Sequence, residues 1–246
     1  TKPSTDVARG LRDMLGDLRD KVKIAASVNV SAWKRNRRTA LKPAKIDSYS
    51  LAESTDKVIA IGASTGGTQA IRRIVQSLPS TMPGVVIVQH MPAGFTRHFA
   101  ESLDVVSRME VKEAKTGDRV MPGSVLIAPG GLHMRVCRSG GIYQVDCRKG
   151  ENVNGHCPSV EVLFQSVAKY VGANAIGVML TGMGGDGAEG MFAMRRAGAR
   201  TLAQDEDTSV VFGMPKMAYQ LGGAECLVPL GSITNKIISL LSGKSG

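Results

Sequence analysis

No run of about 18 apolar residues occurs anywhere in this chain of 246 residues, so nothing in it reads as a bilayer-spanning helix. The charged N-terminus also lacks the apolar stretch of a secretory signal. Cysteine is scarce. Cys137, Cys147, Cys157 and Cys226 are too few for a disulfide scaffold at this length, and their spacing pairs none of them as metal ligands. They read as reduced thiols of a cytosolic protein. Histidine is equally sparse: His90, His98, His133 and His156 form no H-x₃-H pair and have no carboxylate cluster beside them, so no metal centre is expected. The glycine-rich segment Gly62 to Gly67 does not carry the G-x-G-x-x-G spacing of a dinucleotide fingerprint either.

What remains is the material of a globular α/β protein. Hydrophobic residues make up 43% of the chain, enough to bury the core of one α/β domain with extensions. The net charge of +10 suggests nucleic acid until its distribution is considered. Residues 1–50 hold twelve of the 31 Lys and Arg but only five of the 21 Asp and Glu, so most of the excess sits at the front. There the cluster Trp33-Lys34-Arg35-Asn36-Arg37-Arg38 reads as a solvated basic linker, and no nucleic-acid partner is expected. Ahead of it, Val7, Leu11, Met14, Leu15, Leu18, Val22 and Ala25 recur at spacings of three and four, which predicts an amphipathic helix within residues 1–28. Residues 29–56 lose that period, turn basic and carry Pro43, as an interdomain linker does.

From residue 57 to 246 strand and helix patterns alternate. Val- and Ile-rich runs at 58–61, 85–89, 124–128 and 176–180, with a weaker one at 201–204, predict buried strands. Helical spacing falls between them at 71–78, 95–103, 160–167 and 191–197. That order predicts a doubly wound, mostly parallel sheet in a Rossmann-like three-layer α/β/α arrangement. Residues 134–148, with Gly140-Gly141 at their middle, predict an antiparallel β-hairpin beside it.

Chemistry in open parallel sheets collects beyond the carboxyl ends of the strands. Four polar residues stand there: Ser64 in Gly62-Ala63-Ser64-Thr65-Gly66-Gly67, His90 at the end of the second strand, Asp186 in the loop 181–187, and Asp205 after 201–204. A serine, a histidine and an acid at one edge form the constellation of nucleophilic acyl transfer. The pattern does not choose between Asp186 and Asp205. The other histidines read as ordinary residues: His98 within a helix, His133 opening a hairpin strand, His156 in a loop beside Cys157.

The segment Val58 to Gly67, followed by Gln89-His90-Met91-Pro92-Ala93-Gly94-Phe95-Thr96, Ala128-Pro129-Gly130-Gly131, Pro158-Ser159-Val160 and Leu180 to Gly187, closely resembles the bacterial chemotaxis methylesterases of the CheB family. The likeness covers residues 57 to 241. It implies a cytoplasmic protein-glutamate methylesterase, acting also as a glutamine deamidase, whose substrates are methyl-accepting chemoreceptors. It implies Ser64 as nucleophile, His90 as general base and Asp186 as the orienting acid. Backbone N–H groups of Thr65 and Met183 would form the oxyanion hole, Gly66 and Gly67 would bring the substrate close, and no cofactor or metal would be needed. By the same resemblance residues 1–28 are the end of a response-regulator receiver domain whose phosphoacceptor lies outside this chain. A chemotaxis histidine kinase would be the partner of that domain.

Two other classes compete. A Rossmann-like nucleotide-binding protein would use Gly62 to Gly67 as a phosphate loop at a helix start. Its second strand should then end in an acid, where His90 stands. A catalytically idle scaffold acting through the basic linker predicts that Ser64→Ala changes nothing.

Overall fold

The computed structural model describes residues 56–242. The expected amphipathic helix of residues 1–28 and nearly all of the linker at 29–56 lie outside that span. Among the described residues nine strands and six α-helices follow one another: β1 (Val58–Ala63), α1 (Gly67–Ser77), β2 (Gly84–Gln89), α2 (Phe95–Asp104), β3 (Glu110–Glu113), β4 (Ser124–Ile127), β5 (His133–Ser139), β6 (Ile142–Arg148), α3 (Val160–Tyr170), β7 (Ala175–Met179), α4 (Ala188–Arg196), β8 (Arg200–Gln204), α5 (Met214–Gln220), β9 (Cys226–Val228) and α6 (Ile233–Leu241).

Seven strands form one sheet in the order β3-β4-β2-β1-β7-β8-β9, and each neighbouring pair is parallel. Strand β1 is flanked by β2 and β7, so the chain runs outward from β1 to one side and later returns to its other side. That reversal opens a crevice at the carboxyl end of the sheet beside β1. Alternate residues of each central strand enter opposite layers. Ile59, Ile61, Val85 and Ile87 pack with α1, α2 and α6, whereas Val58, Ala60, Val86 and Val88 pack with α3, α4 and α5. Burial on both faces explains why β1 and β2 read as unbroken apolar runs.

The hairpin β5–β6 is antiparallel and pairs in a separate two-stranded sheet, as its Gly140-Gly141 centre predicts. Met134, Val136, Tyr143 and Val145 bury one of its faces in the layer that contains α3. The Ser166 hydroxyl of α3 accepts the Val136 N–H at 2.9 Å, fixing the hairpin to the helix. Strand β3 escaped the sequence reading because it is a sheet edge with one buried residue, Val111, and so carries no apolar run.

Candidate active site

Ser64 and His90 leave the sheet side by side. Ala63 and Gln89 are register partners at the ends of β1 and β2, and the His90 N–H donates to Ala63 O at 3.1 Å. The next pair outward is therefore Ser64 and His90, about 4.8 Å apart by strand spacing. The Gln89 amide nitrogen donates to Ser64 O at 3.0 Å and to His90 O at 3.2 Å, bracing both residues from beneath.

Asp186 arrives from the other flank of β1, in the loop after β7. Its carboxylate is held by a built set of donors. His90 Nε2 lies 2.8 Å from Oδ2, which also accepts the Val160 N–H at 2.7 Å. Oδ1 accepts from the Ser159 hydroxyl at 2.7 Å, the Asn154 amide at 2.9 Å and the Glu161 N–H at 3.3 Å. Val160 and Glu161 open α3, so the carboxylate caps a helix N-terminus, where the exposed N–H groups and the dipole favour negative charge. Burial alone would raise its pKa; the bonds from His90, Asn154, Ser159 and the Val160 N–H outweigh that and hold it below the usual carboxylate value. An ionised Asp186 only accepts, so His90 carries its proton on Nε2 and leaves Nδ1 as a lone-pair acceptor. Nδ1 is buried and, among the described residues, has no hydrogen-bond partner. One ring nitrogen is thus held by the carboxylate while the other is left without a partner.

This junction exists because two glycines admit Val160. A Cβ on Gly62 would lie 2.3 Å from Val160 Cγ1, and one on Gly187 would lie 2.4 Å from the same atom. Without side chains there, the start of α3 reaches β1 and meets Asp186. On the other side, Gly182 brings the 181–183 segment against the serine: a Cβ at 182 would lie 2.9 Å from Ser64 Cβ. The Ser64 N–H donates to Thr181 O at 3.0 Å, and the Thr181 hydroxyl lies 2.9 Å from Thr65 O. Among the described residues, the N–H groups of Thr65 and Met183 donate to no acceptor of the chain. The Gly67 N–H is instead engaged by Ser64 O at 2.8 Å, and a Cβ there would lie 2.1 Å from Gln89 Oε1. Turn closure and packing account for a glycine at position 67.

The family model for CheB methylesterase matches residues 59–237. The chain belongs to the CheB methylesterase family. A relative from Syntrophotalea carbinolica, named protein-glutamate methylesterase/protein-glutamine glutaminase, is 65% identical over 98% of this chain and 69% of its own length. One of the same name from Sulfurimonas denitrificans is 50% identical over 98% of this chain and 69% of its own. Among solved structures, the crystal structure of the Thermotoga maritima CheB methylesterase catalytic domain superposes with a TM-score of 0.74 at 39% identity, covering 76% of this chain and 99% of that one.

Within this CheB domain the remaining sequence candidates separate. Asp205 turns away from the cluster: its Oδ1 accepts from the Thr208 hydroxyl at 2.5 Å and the Thr208 N–H at 3.1 Å, closing a local turn. His133 is a satisfied core residue, with Nε2 donating to Glu151 O at 2.8 Å and Nδ1 accepting the Ser159 N–H at 3.3 Å. His98 is a surface residue beside Glu101. Among the described residues no group of three or more His, Cys, Asp or Glu is placed to hold a metal ion, and no helix is long and apolar enough to cross a membrane.

His156 corrects the sequence reading. Far from being an ordinary loop residue, it stacks on His90 with ring centroids 3.7 Å apart and planes inclined by 15°. Val153 and His156 exchange backbone hydrogen bonds at 3.0 Å around Asn154-Gly155, both at positive φ, +53° and +81°. Asn-Gly between two paired residues is the signature of a tight type I′ turn. That signal was present in the sequence, and it is this turn that carries Asn154 to Asp186 and His156 to His90.

Proposed function

We propose that this protein hydrolyses glutamate methyl esters on methyl-accepting chemoreceptors in the cytoplasm, and deamidates receptor glutamines, with Ser64 as nucleophile, His90 as general base and Asp186 as the acid that orients it. The observation that carries the assignment is His90 itself. Its Nε2 is held by a buried carboxylate, its Nδ1 is left without a partner, and its backbone leaves β2 beside the point where Ser64 leaves β1.

In this reading Ser64 Oγ attacks the ester carbonyl as its proton passes to His90 Nδ1, and Asp186 stabilises the resulting imidazolium through Nε2–H. The ring is used the other way round from a serine protease, where the acid holds Nδ1. The carbonyl oxygen gains charge that the Thr65 and Met183 N–H groups stabilise, each donor contributing about 3 kcal/mol. Methanol departs with the proton from Nδ1. Water, deprotonated by the same nitrogen, then hydrolyses the glutamyl-enzyme. A glutamine follows the same route with ammonia as leaving group. The family membership and the named relatives support a hydrolase over a nucleotide binder or an idle scaffold.

The proposal extends to domain organisation. Residues 57–246 form the methylesterase domain, residues 29–56 a linker, and residues 1–28 the end of a receiver domain through which a chemotaxis histidine kinase acts. The sequence resemblance supports that part. The test is methanol release from methylated receptor membranes by the wild type, Ser64→Ala, His90→Ala and Asp186→Asn. Undiminished release by Ser64→Ala would remove the serine from the mechanism.

A further inference from the structure

We propose that His156 is a positioning residue for the general base, setting the plane of the His90 ring so that Nδ1 faces Ser64. This rests on the reading of His90 as that base. The hydrogen bond from Nε2 to Asp186 holds the rotation about the His90 Cβ–Cγ bond only as tightly as that one bond resists bending. Among the described residues Nδ1 has no partner to stop that rotation. The second constraint comes from the face: the His156 ring lies 3.7 Å away and nearly coplanar in orientation, at 15°. Offset-stacked aromatic rings resist tilting because each is held at van der Waals distance along its whole face.

His156 can serve as that wall because it is itself fixed. The backbone of the Asn154-Gly155 turn is closed by two hydrogen bonds between Val153 and His156, each 3.0 Å. The same turn sends the Asn154 amide to Asp186 Oδ1 at 2.9 Å. One short turn thereby aligns two partners of the reaction, the acid by a hydrogen bond and the base by a stack. Because the ring must take a proton from Ser64 and return it to the leaving group, a small rotation of Nδ1 affects the chemical steps and leaves substrate binding untouched. Misplacements near 1 Å cost about a hundredfold in rate.

The experiment compares His156→Ala, which removes the face, with His156→Phe, which keeps an aromatic ring, in methanol release from methylated receptor membranes. His156→Ala is expected to lower kcat about a hundredfold with KM unchanged, and His156→Phe to recover most of that loss. If His156→Ala does not fold, His156→Leu fills the space without an aromatic face and carries the same comparison. Proton NMR adds a readout that folding alone does not move: the His90 Nε2–H resonance stays sharp in the wild type and His156→Phe and broadens when the face is lost. Wild-type kcat in His156→Ala, or a His156→Phe as impaired as the alanine variant, would overturn the proposal. Full activity of Ser64→Ala would instead overturn the serine mechanism, and the width of the His90 resonance would still decide whether His156 fixes the ring.

Discussion

Replacing Asp186 by Asn keeps the shape of the side chain and inverts half of its hydrogen bonding. The native carboxylate accepts from five donors, three at Oδ1 and two at Oδ2. With the amide oxygen at the three-donor site, the new NH₂ group faces His90 Nε2 and the Val160 N–H. His90 relieves its clash by changing tautomer, accepting at Nε2 and carrying its proton on Nδ1. That nitrogen then cannot take the serine proton, and kcat is expected to fall about 10⁴-fold, the size of the wrong-tautomer effect in a serine protease. Val160 has no such escape. Its buried N–H loses its acceptor, costing about 2 kcal/mol. Removing the charge at the start of α3 costs about 1 kcal/mol more. Urea denaturation should therefore show Asp186→Asn to be less stable by about 3 kcal/mol at about pH 7. The pH dependence follows from the direction of the shift. Asp186 titrates below its ordinary value of 3.8 when folded, so its stabilisation is complete above that value and fades as pH falls through the lower folded one. Asn has no such dependence, so the gap between the two proteins should narrow as pH falls through the folded value of Asp186. A gap that stays constant with pH, or a kcat within tenfold of the wild type, would refute the reasoning.

Gly62→Ala places a methyl group 2.3 Å from Val160 Cγ1 and should lower stability by about 1–3 kcal/mol, with partial recovery in Gly62→Ala/Val160→Ala; an unchanged urea midpoint would contradict this. The Cys147 thiol is pushed up to about 12 by burial and by the neighbouring charges of Asp146, Asp118 and Glu113. At about pH 8 only about one thiol in 10⁴ is then ionised, so mass spectrometry should find Cys147 unmodified after iodoacetamide treatment of the native protein, and rapid alkylation would count against the assignment.

The two halves of the site differed in how openly the sequence carried them. Ser64 and His90 were legible because each directly follows the last residue of a buried strand built on a Val- and Ile-rich run, and in a parallel sheet the residue after such a strand lies at the functional edge. Asp186 was not separable from Asp205 by pattern, since both follow strands. What divides them is the start of α3, 26 residues from Asp186, which supplies donors to one acid and none to the other. His156 lies 66 positions from His90 and outside any periodic element, so no spacing pointed to their stack.

The alternation of β1, β2, β4, β7 and β8 with α1 to α4, burial on both faces of the central strands and the hairpin were determined by the sequence itself, because they follow from local periodicity and turn chemistry. Tertiary structure decided which acid is ionised at the site, which imidazole nitrogen is left open and which loop braces it. Those properties depend on hydrogen bonds and stacking between segments remote along the chain, and they exist only once Gly62 and Gly187 let α3 close on β1.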